Sequence, residues 1–287
     1  MRRFGTGLFL LRAALYKARA LRDPFSSRTG PGPRSPLQHG IERTIEMAVA
    51  LSIVVPVKDE AENVAPLARE IARAIAGEDA EIVFVDDGST DATADVLKAL
   101  KAEMPMLRVI SHGRNIGQSR AIRSGVRAAR GPLVVTLDGD GQNDPADIAK
   151  LLEILRDDPA GARVGLVSGI RVHRHDDANK RFASGFANGF RRRLLHDGAV
   201  DSGCGLKAFR REVYLALPYF DHMHRFMIAL VMREGFEVRF ADVNHRPRTH
   251  GKSKYHNFHR AMVGFIDTFG VRWLQHRYRG AVEPREI

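Results

Sequence analysis

Leu51-Ser52-Ile53-Val54-Val55-Pro56-Val57-Lys58-Asp59-Glu60 is the stretch that decides the fold. Its first seven residues form a nearly continuous apolar run, which suits a strand buried on both faces; a half-solvated strand would alternate. Pro56 stands close to the end of the run, and the chain then turns abruptly polar. Helical spacing follows over 61–76 through Val64, Leu67, Ile71 and Ile75. Working outward, the same unit recurs. Residues 81–85 read as a second buried strand, and 91–101 as a helix with Ser89, Thr90 or Asp91 available as N-cap. Leu107–Ser111 is a third strand, 118–129 a third helix and 133–137 a fourth strand. Alternation of this kind predicts an α/β fold, with a mostly parallel central sheet flanked by helices and ligands bound at the carboxyl ends of its strands.

The second half is less regular. Residues 163–169 and 236–243 read as strands and 222–234 as helical. Residues 180–196 form a basic amphipathic helix with Phe182, Phe186, Phe190 and Leu194 on one stripe. The last helix, 258–276, mixes Phe258, Met262, Phe265, Ile266, Phe269, Trp273 and Leu274 with Arg260, Arg272, His276 and Arg277. Such a helix either lies in a membrane interface or packs on the domain. No apolar run reaches the roughly 20 residues that a spanning helix needs.

The formal net charge is +11, and residues 1–50 carry nine Lys and Arg against Asp23, Glu42 and Glu46. More than half of the excess therefore sits in the first fifty residues, where 26–36 is rich in Ser, Gly and Pro and reads as linker. Residues 1–46 are expected to be a basic, disordered extension ahead of a start at Met47, or else an amphipathic anchor. The expected organisation is this extension, a domain over 47–257, and an amphipathic helix and tail over 258–287. A basic chain can bind nucleic acid. Here anionic substrates and a membrane surface explain the remaining charge, and no nucleic-acid partner is expected. The lone Cys204, flanked by Gly203 and Gly205, rules out an internal disulfide framework and reads as a small buried residue.

Chemistry gathers at the strand ends. The second strand runs into Asp86-Asp87-Gly88-Ser89 and the fourth into Asp138-Gly139-Asp140-Gly141-Gln142; between them lies Arg114-Asn115-Ile116-Gly117. Carboxylates at the ends of apolar strands are costly unless they meet metal, donors, ligand or water. Asp138 and Asp140, two residues apart, can hold one hard divalent cation, with Gln142 adding a carbonyl oxygen; Mg²⁺ and Mn²⁺ favour such ligands and share them with phosphates. A calcium loop is a poorer reading, because its required glycine and glutamate would fall at Asn143 and Ala149. Asn115 and Gly117 read as structural, shaping the turn into the third helix. His245, His250 and His256 fit none of the usual zinc spacings.

These segments, with Ser168-Gly169-Ile170-Arg171, Asp201-Ser202-Gly203-Cys204-Gly205-Leu206-Lys207-Ala208-Phe209-Arg210, His224-Arg225-Phe226 and Arg248-Thr249-His250-Gly251-Lys252-Ser253-Lys254-Tyr255, resemble family 2 glycosyltransferases of the GT-A (Rossmann-like) fold. Within that family the likeness is to dolichyl- and polyprenyl-phosphate sugar transferases, over about residues 50–257. The resemblance implies an inverting, metal-dependent transfer from a GDP- or UDP-sugar, such as GDP-mannose, to a polyprenyl phosphate. A hydroxyl of a soluble or cell-envelope polysaccharide acceptor is the alternative. By the same resemblance Pro56, Lys58 and Glu60 would line the nucleotide pocket, and Asp86 and Asp87 would contact base and ribose. Asp138, Gly139 and Asp140 would meet ribose, metal and diphosphate, with Mg²⁺ or Mn²⁺ held by Asp138, Asp140 and Gln142. Lys207, Arg248 and Lys254 would add charge at the donor. Arg225 and Arg171, with the cluster 191–193, would reach the acceptor phosphate, Arg225 counting with Asp138 and Asp140 among the catalytic groups. Relatives commonly have Ala and Leu at positions 139 and 141, so two glycines there imply a more flexible loop. The expected location is cytoplasmic, peripheral to the inner face of the membrane, with a separate membrane-protein partner conceivable.

Overall fold

The computed structural model describes residues 49–158, 163–172, 189–248 and 257–280, with side chains from residue 262 onward in the last of these. The expected extension 1–46, the stripe residues Phe182 and Phe186, the loop residues His250, Lys254 and His256, and the side chains of Phe258 and Arg260 lie outside the described set.

Among the described residues, seven strands form one sheet. They are β1 (Leu51–Val57), β2 (Ala80–Asp86), β3 (Leu107–Ser111), β4 (Leu133–Thr136), β5 (Val164–Arg171), β6 (Lys207–Arg210) and β7 (Glu237–Val243). Their spatial order is β3-β2-β1-β4-β6-β5-β7. The β1–β2, β2–β3, β1–β4 and β5–β7 pairs are parallel, whereas β6 runs antiparallel to both neighbours. Helices α1 (Ala61–Ala74), α2 (Thr93–Glu103), α3 (Gln118–Ala128) and α4 (Ile148–Arg156) belong to the first half. Among the described residues, α5 (189–195), α6 (Arg211–Ala216), α7 (Met227–Arg233) and α8 (Asn257–Arg277) follow.

The reading of β1 as doubly buried holds, since Leu51, Ile53, Val54 and Val55 are fully inaccessible to solvent. Successive side chains serve opposite cores. Ile53 and Val55 pack with Val64, Leu67 and Ile71 of α1, Leu97 of α2 and Leu151 and Leu155 of α4. Val54 packs with Ala121, Ile122 and Val126 of α3 and with Met227 and Leu230 of α7 on the other face. Each such buried aliphatic side chain contributes about 1.5–3 kcal/mol.

Several elements differ from expectation. Strand β6 and helices α4 and α6 are additions to the sequence reading. The segment 222–234 divides into a 3-10 turn, Met223–Arg225, and α7. Helix α2 begins later than expected, with Ala92 at its N-cap position; Asp91 Oδ1 instead accepts from the Thr93 amide at 3.0 Å.

Candidate active site

The direction of β6 builds the site. Lys207 opens β6 opposite Thr136 at the end of β4, and Ser168 near the end of β5 pairs with Lys207 in turn. The amino end of one strand thus meets the carboxyl ends of β4 and β5. Chain leaving β7 arrives at the same rim, where His245 bridges to Asn143 and the Arg246 amide donates to the Gln142 carbonyl at 2.9 Å. The rim includes the junction of β1 and β4, where the strand order reverses, the usual ligand crevice of such sheets.

Asp138 stands at that junction. Its Oδ1 accepts from Gln118 Nε2 at 2.8 Å, and its amide donates to Asn143 Oδ1 at 3.0 Å. Part of the residue can be reached from solvent, yet protein closely surrounds the carboxyl. Burial and then the charge of Asp140 push its pKa up to about 6, against the pull of Lys207, Arg171 and the Gln118 hydrogen bond. A buried carboxylate with a second carboxylate beside it, in a site of oxygen donors, fits a hard divalent cation. Among the described residues no three His, Cys, Asp or Glu side chains cluster as a metal site. Asp138 and Asp140, with the side-chain oxygen of Gln142, are the candidate donors expected from the sequence. Gln142 Nε2 donates to the Arg246 carbonyl at 3.3 Å, which leaves its side-chain oxygen as the candidate ligand atom.

Asp140 is paired with Arg248, whose Nη2 lies 2.5 Å from Oδ2, while Oδ1 accepts from the Gln142 amide at 3.1 Å. Position 139 also has a packing reason to be glycine. A Cβ on Gly139 would lie 2.4 Å from Val57 Cγ1, so this glycine lets the loop press against the end of β1. Gly141, with φ 74°, makes the turn beyond Asp140.

The loops after β1 and β2 are tied together. Lys58 Nζ donates to the Gly88 carbonyl at 3.3 Å and to Asp59 Oδ2 at 3.1 Å. Asp59 Oδ1 accepts from the Thr90 amide at 2.7 Å, and Glu60 Oε2 from Asn63 Nδ2 at 2.6 Å. Pro56 is half-buried at the end of β1. Asp86 Oδ1 accepts from the Ser89 amide at 2.9 Å. Asp87 is buried; its Oδ1 takes the Ile116 amide at 3.0 Å and His112 Nδ1 at 2.8 Å, and its Oδ2 takes the Gly117 amide at 2.8 Å. Asp87 thereby anchors the turn into α3, and Gly117 has the structural part that the sequence assigned to it.

On the β5 side, Arg171 grips Asp201 in a two-pronged pair at 2.7 and 2.8 Å. Lys207 is buried and donates to the Cys204 carbonyl; burial lowers its pKa against the pull of nearby acidic groups, Asp138 among them. Burial likewise pushes the Cys204 thiol up, which suits an inert packing residue. Arg225 lies in the 3-10 turn, where His224 Nδ1 meets Ser119 Oγ at 2.7 Å. That contact sets the turn beside Gln118, and hence near Asp138. Of the basic cluster, Arg191 faces inward to Asp197 at 2.6 Å, while Arg192 and Arg193 are exposed. Gln118 and Gly205 are the site residues that sequence reasoning passed over; a polar residue opening a helix beside the site was the available signal for Gln118.

The family profile described as Glycosyl transferase family 2 matches residues 52–217, more than half of the chain. The chain belongs to glycosyl transferase family 2. This family 2 glycosyltransferase is 36% identical over 238 residues to a dodecaprenyl-phosphate galacturonate synthase of Rhizobium johnstonii, covering 81% of this chain and 69% of the relative. It is 35% identical over 209 residues to an undecaprenyl-phosphate 4-deoxy-4-formamido-L-arabinose transferase of Edwardsiella ictaluri, covering 71% of this chain and 62% of that relative. Its chain thus spans somewhat under two thirds of the second relative's length. In fold it matches mannosyltransferase PcManGT from Pyrobaculum calidifontis, solved with GDP-Man and Mn²⁺. The TM-score is 0.57 at 20% identity, over 82% of this chain and 66% of that one. The glycosyltransferase has the GT-A fold expected from its motifs.

Proposed function

We propose that this glycosyltransferase moves a sugar from a nucleoside diphosphate-sugar to the phosphate of a polyprenyl lipid. The observation that carries the reading is the meeting, at one rim, of Asp138 and Asp140 with the cations Lys207, Arg171 and Arg248, in a chain similar to transferases named for polyprenyl phosphates. Two carboxylates ringed by cations suit a metal-bridged diphosphate better than a bare phosphate surface, on which acidic groups would repel the ligand.

Asp138, Asp140 and Gln142 would hold Mg²⁺ or Mn²⁺, which when bound supplies positive charge to the leaving nucleoside diphosphate. Gly139, pressed against Val57, keeps the backbone close to β1 beside them. Pro56, Lys58 and Glu60, with Asp86 and Asp87 at the next strand end, would frame the nucleoside. Arg248 would exchange its hold on Asp140 for the diphosphate, joined by Lys254, and Lys207 would contribute fixed charge from β6. The acceptor needs no base, since a phosphomonoester with a second pKa of about 6 is largely dianionic at neutral pH. Its oxygen attacks the anomeric carbon as the bond to the diphosphate breaks, with inversion. Arg225 would orient it. Donor comes from water and acceptor from lipid, so the enzyme would work at the cytoplasmic, inner face of a membrane.

The test incubates purified protein with Mn²⁺, undecaprenyl phosphate and a panel of labelled GDP- and UDP-sugars, including mannose, glucose, galacturonate and 4-amino-arabinose derivatives. Label in the organic phase from one donor, lost in Asp140→Ala, is the expected result and names the sugar. Metal-dependent release of nucleoside diphosphate with no lipid label would move the acceptor to a polysaccharide hydroxyl.

A further inference from the structure

Helix α8 is held to the domain by one face. Thr268 and Val271 are buried on it, Leu274 packs into the core, Arg233 Nε donates to the Leu274 carbonyl at 3.0 Å, and Gln275 Nε2 donates to the Leu195 carbonyl at 3.0 Å. The other face carries Met262, Phe265, Ile266, Phe269 and Trp273, at spacings of three and four residues that place them on one stripe. They are 49–63% exposed. Phe190 of α5 extends the stripe, stacked on Phe265 at a centroid distance of 5.2 Å and tilted against Phe269 at 6.1 Å. A contiguous exposed patch of large apolar and aromatic side chains marks an interaction surface.

The charges around it select the partner. Exposed Arg192 and Arg193 lie on the helix that carries Phe190, and Arg272, His276, Arg277 and Arg279 follow the stripe along α8 and its tail. The nearby acids are already engaged, Glu234 by Arg233 and Asp267 by His222. An isologous dimer would bring to these cations only a second copy of the same basic, acid-poor patch. An anionic bilayer meets both properties at once, taking aromatic side chains at the acyl boundary and cations at the headgroups.

We infer that the Met262–Trp273 stripe of α8, with Phe190, is the face by which this protein inserts into an anionic membrane surface. In naming a membrane as partner, the inference rests on the lipid-acceptor reading above. Its position supports that use. Asp267, on the same helix, lies 3.5 Å from His222 Nδ1 and feels the charge of Arg225. The same turn contacts Ser119, next to the Gln118 that holds Asp138. Consecutive contacts therefore join the docking helix to the carboxylate rim.

Trp273 is the chain's single tryptophan, so its fluorescence reports from the stripe alone. Full-length protein is mixed with phosphatidylglycerol–phosphatidylcholine vesicles or with pure phosphatidylcholine vesicles, some brominated along the acyl chain. The expected result is a blue shift and bromine quenching with the anionic vesicles. A Phe265→Ser/Ile266→Ser double variant, with its melting point checked, should partition about tenfold or more weakly while labelling a short water-soluble prenyl phosphate as the parent does. Unchanged emission, salt-sensitive binding without quenching, or a lipid-free blue shift that grows with protein concentration would each overturn the inference. Quenching by vesicles without label in any prenyl phosphate would leave the docking face standing and reject the lipid-acceptor reading instead.

Discussion

Gly205 lies so close to Asp138 that a Cβ on it would stand 2.3 Å from Oδ2 and 2.7 Å from Oδ1. The backbone ahead of β6 thus forms one wall of the carboxylate's niche. Gly205→Ala should push the Asp138 side chain off its present rotamer, an overpacking cost of about 1–3 kcal/mol. Mn²⁺ titration calorimetry should show affinity reduced by about tenfold or more. Parent-like affinity would mean that Asp138 does not depend on this niche.

Gln118 acts through Asp138. Gln118→Leu removes the donor to Oδ1 and leaves the shape nearly intact, so kcat should fall by about tenfold. Gln118→Glu, which places a third carboxylate there, should fall further. A KM change without a kcat change would contradict the positioning role.

Asp87 binds two amides and His112 with two oxygens. An asparagine in its place would turn an NH₂ group toward one of those donors. Asp87→Asn should therefore cost about 1–3 kcal/mol, read as a lowered urea midpoint with an unchanged slope. Hydrogen exchange should quicken at the Ile116 and Gly117 amides.

Glu81 supplies a dependence on pH. Burial works to raise its pKa, but the Arg130 amide, Arg108 and Ser52 together hold it below the usual carboxylate range. A depressed folded pKa gives stability that is fully present above the unfolded value of about 4.3 and is lost as pH falls through the folded one. Glu81→Gln should be less stable than the parent at pH 7 by about 1–3 kcal/mol. The gap should narrow below pH 4; a gap of constant size down to pH 2 would refute this account.

Strands β1, β2 and β4 were legible because parallel strands buried on both faces leave a largely apolar signature, as Leu51–Val57 does. Strand β6 left none. Lys207-Ala208-Phe209-Arg210 is four residues with a cation at each end, and it is a strand because β4 and β5 pair with it from both sides. Helix α4 did carry a signal, in Ile148, Leu151, Leu152 and Leu155 behind Asp144 and Pro145, and could have been read. The carboxylate pair was legible as chemistry. Which acids face a ligand and which tie loops was not, because Asp87 and Asp138 differ only in the partners that tertiary structure brings to them.

The insertion of β6 between β4 and β5 constrains how such enzymes can be recombined. A chimera joined just after β5 would take that strand from one parent and its only link to β4 from the other, across a ladder that neither parent selected. Exchange at the junction before β5 would move β5, β6 and β7 as one cassette, with β4–β6 the one strand pairing in the sheet that joins the two parents. Grafting that whole block keeps the β6–β5–β7 ladder within one parent.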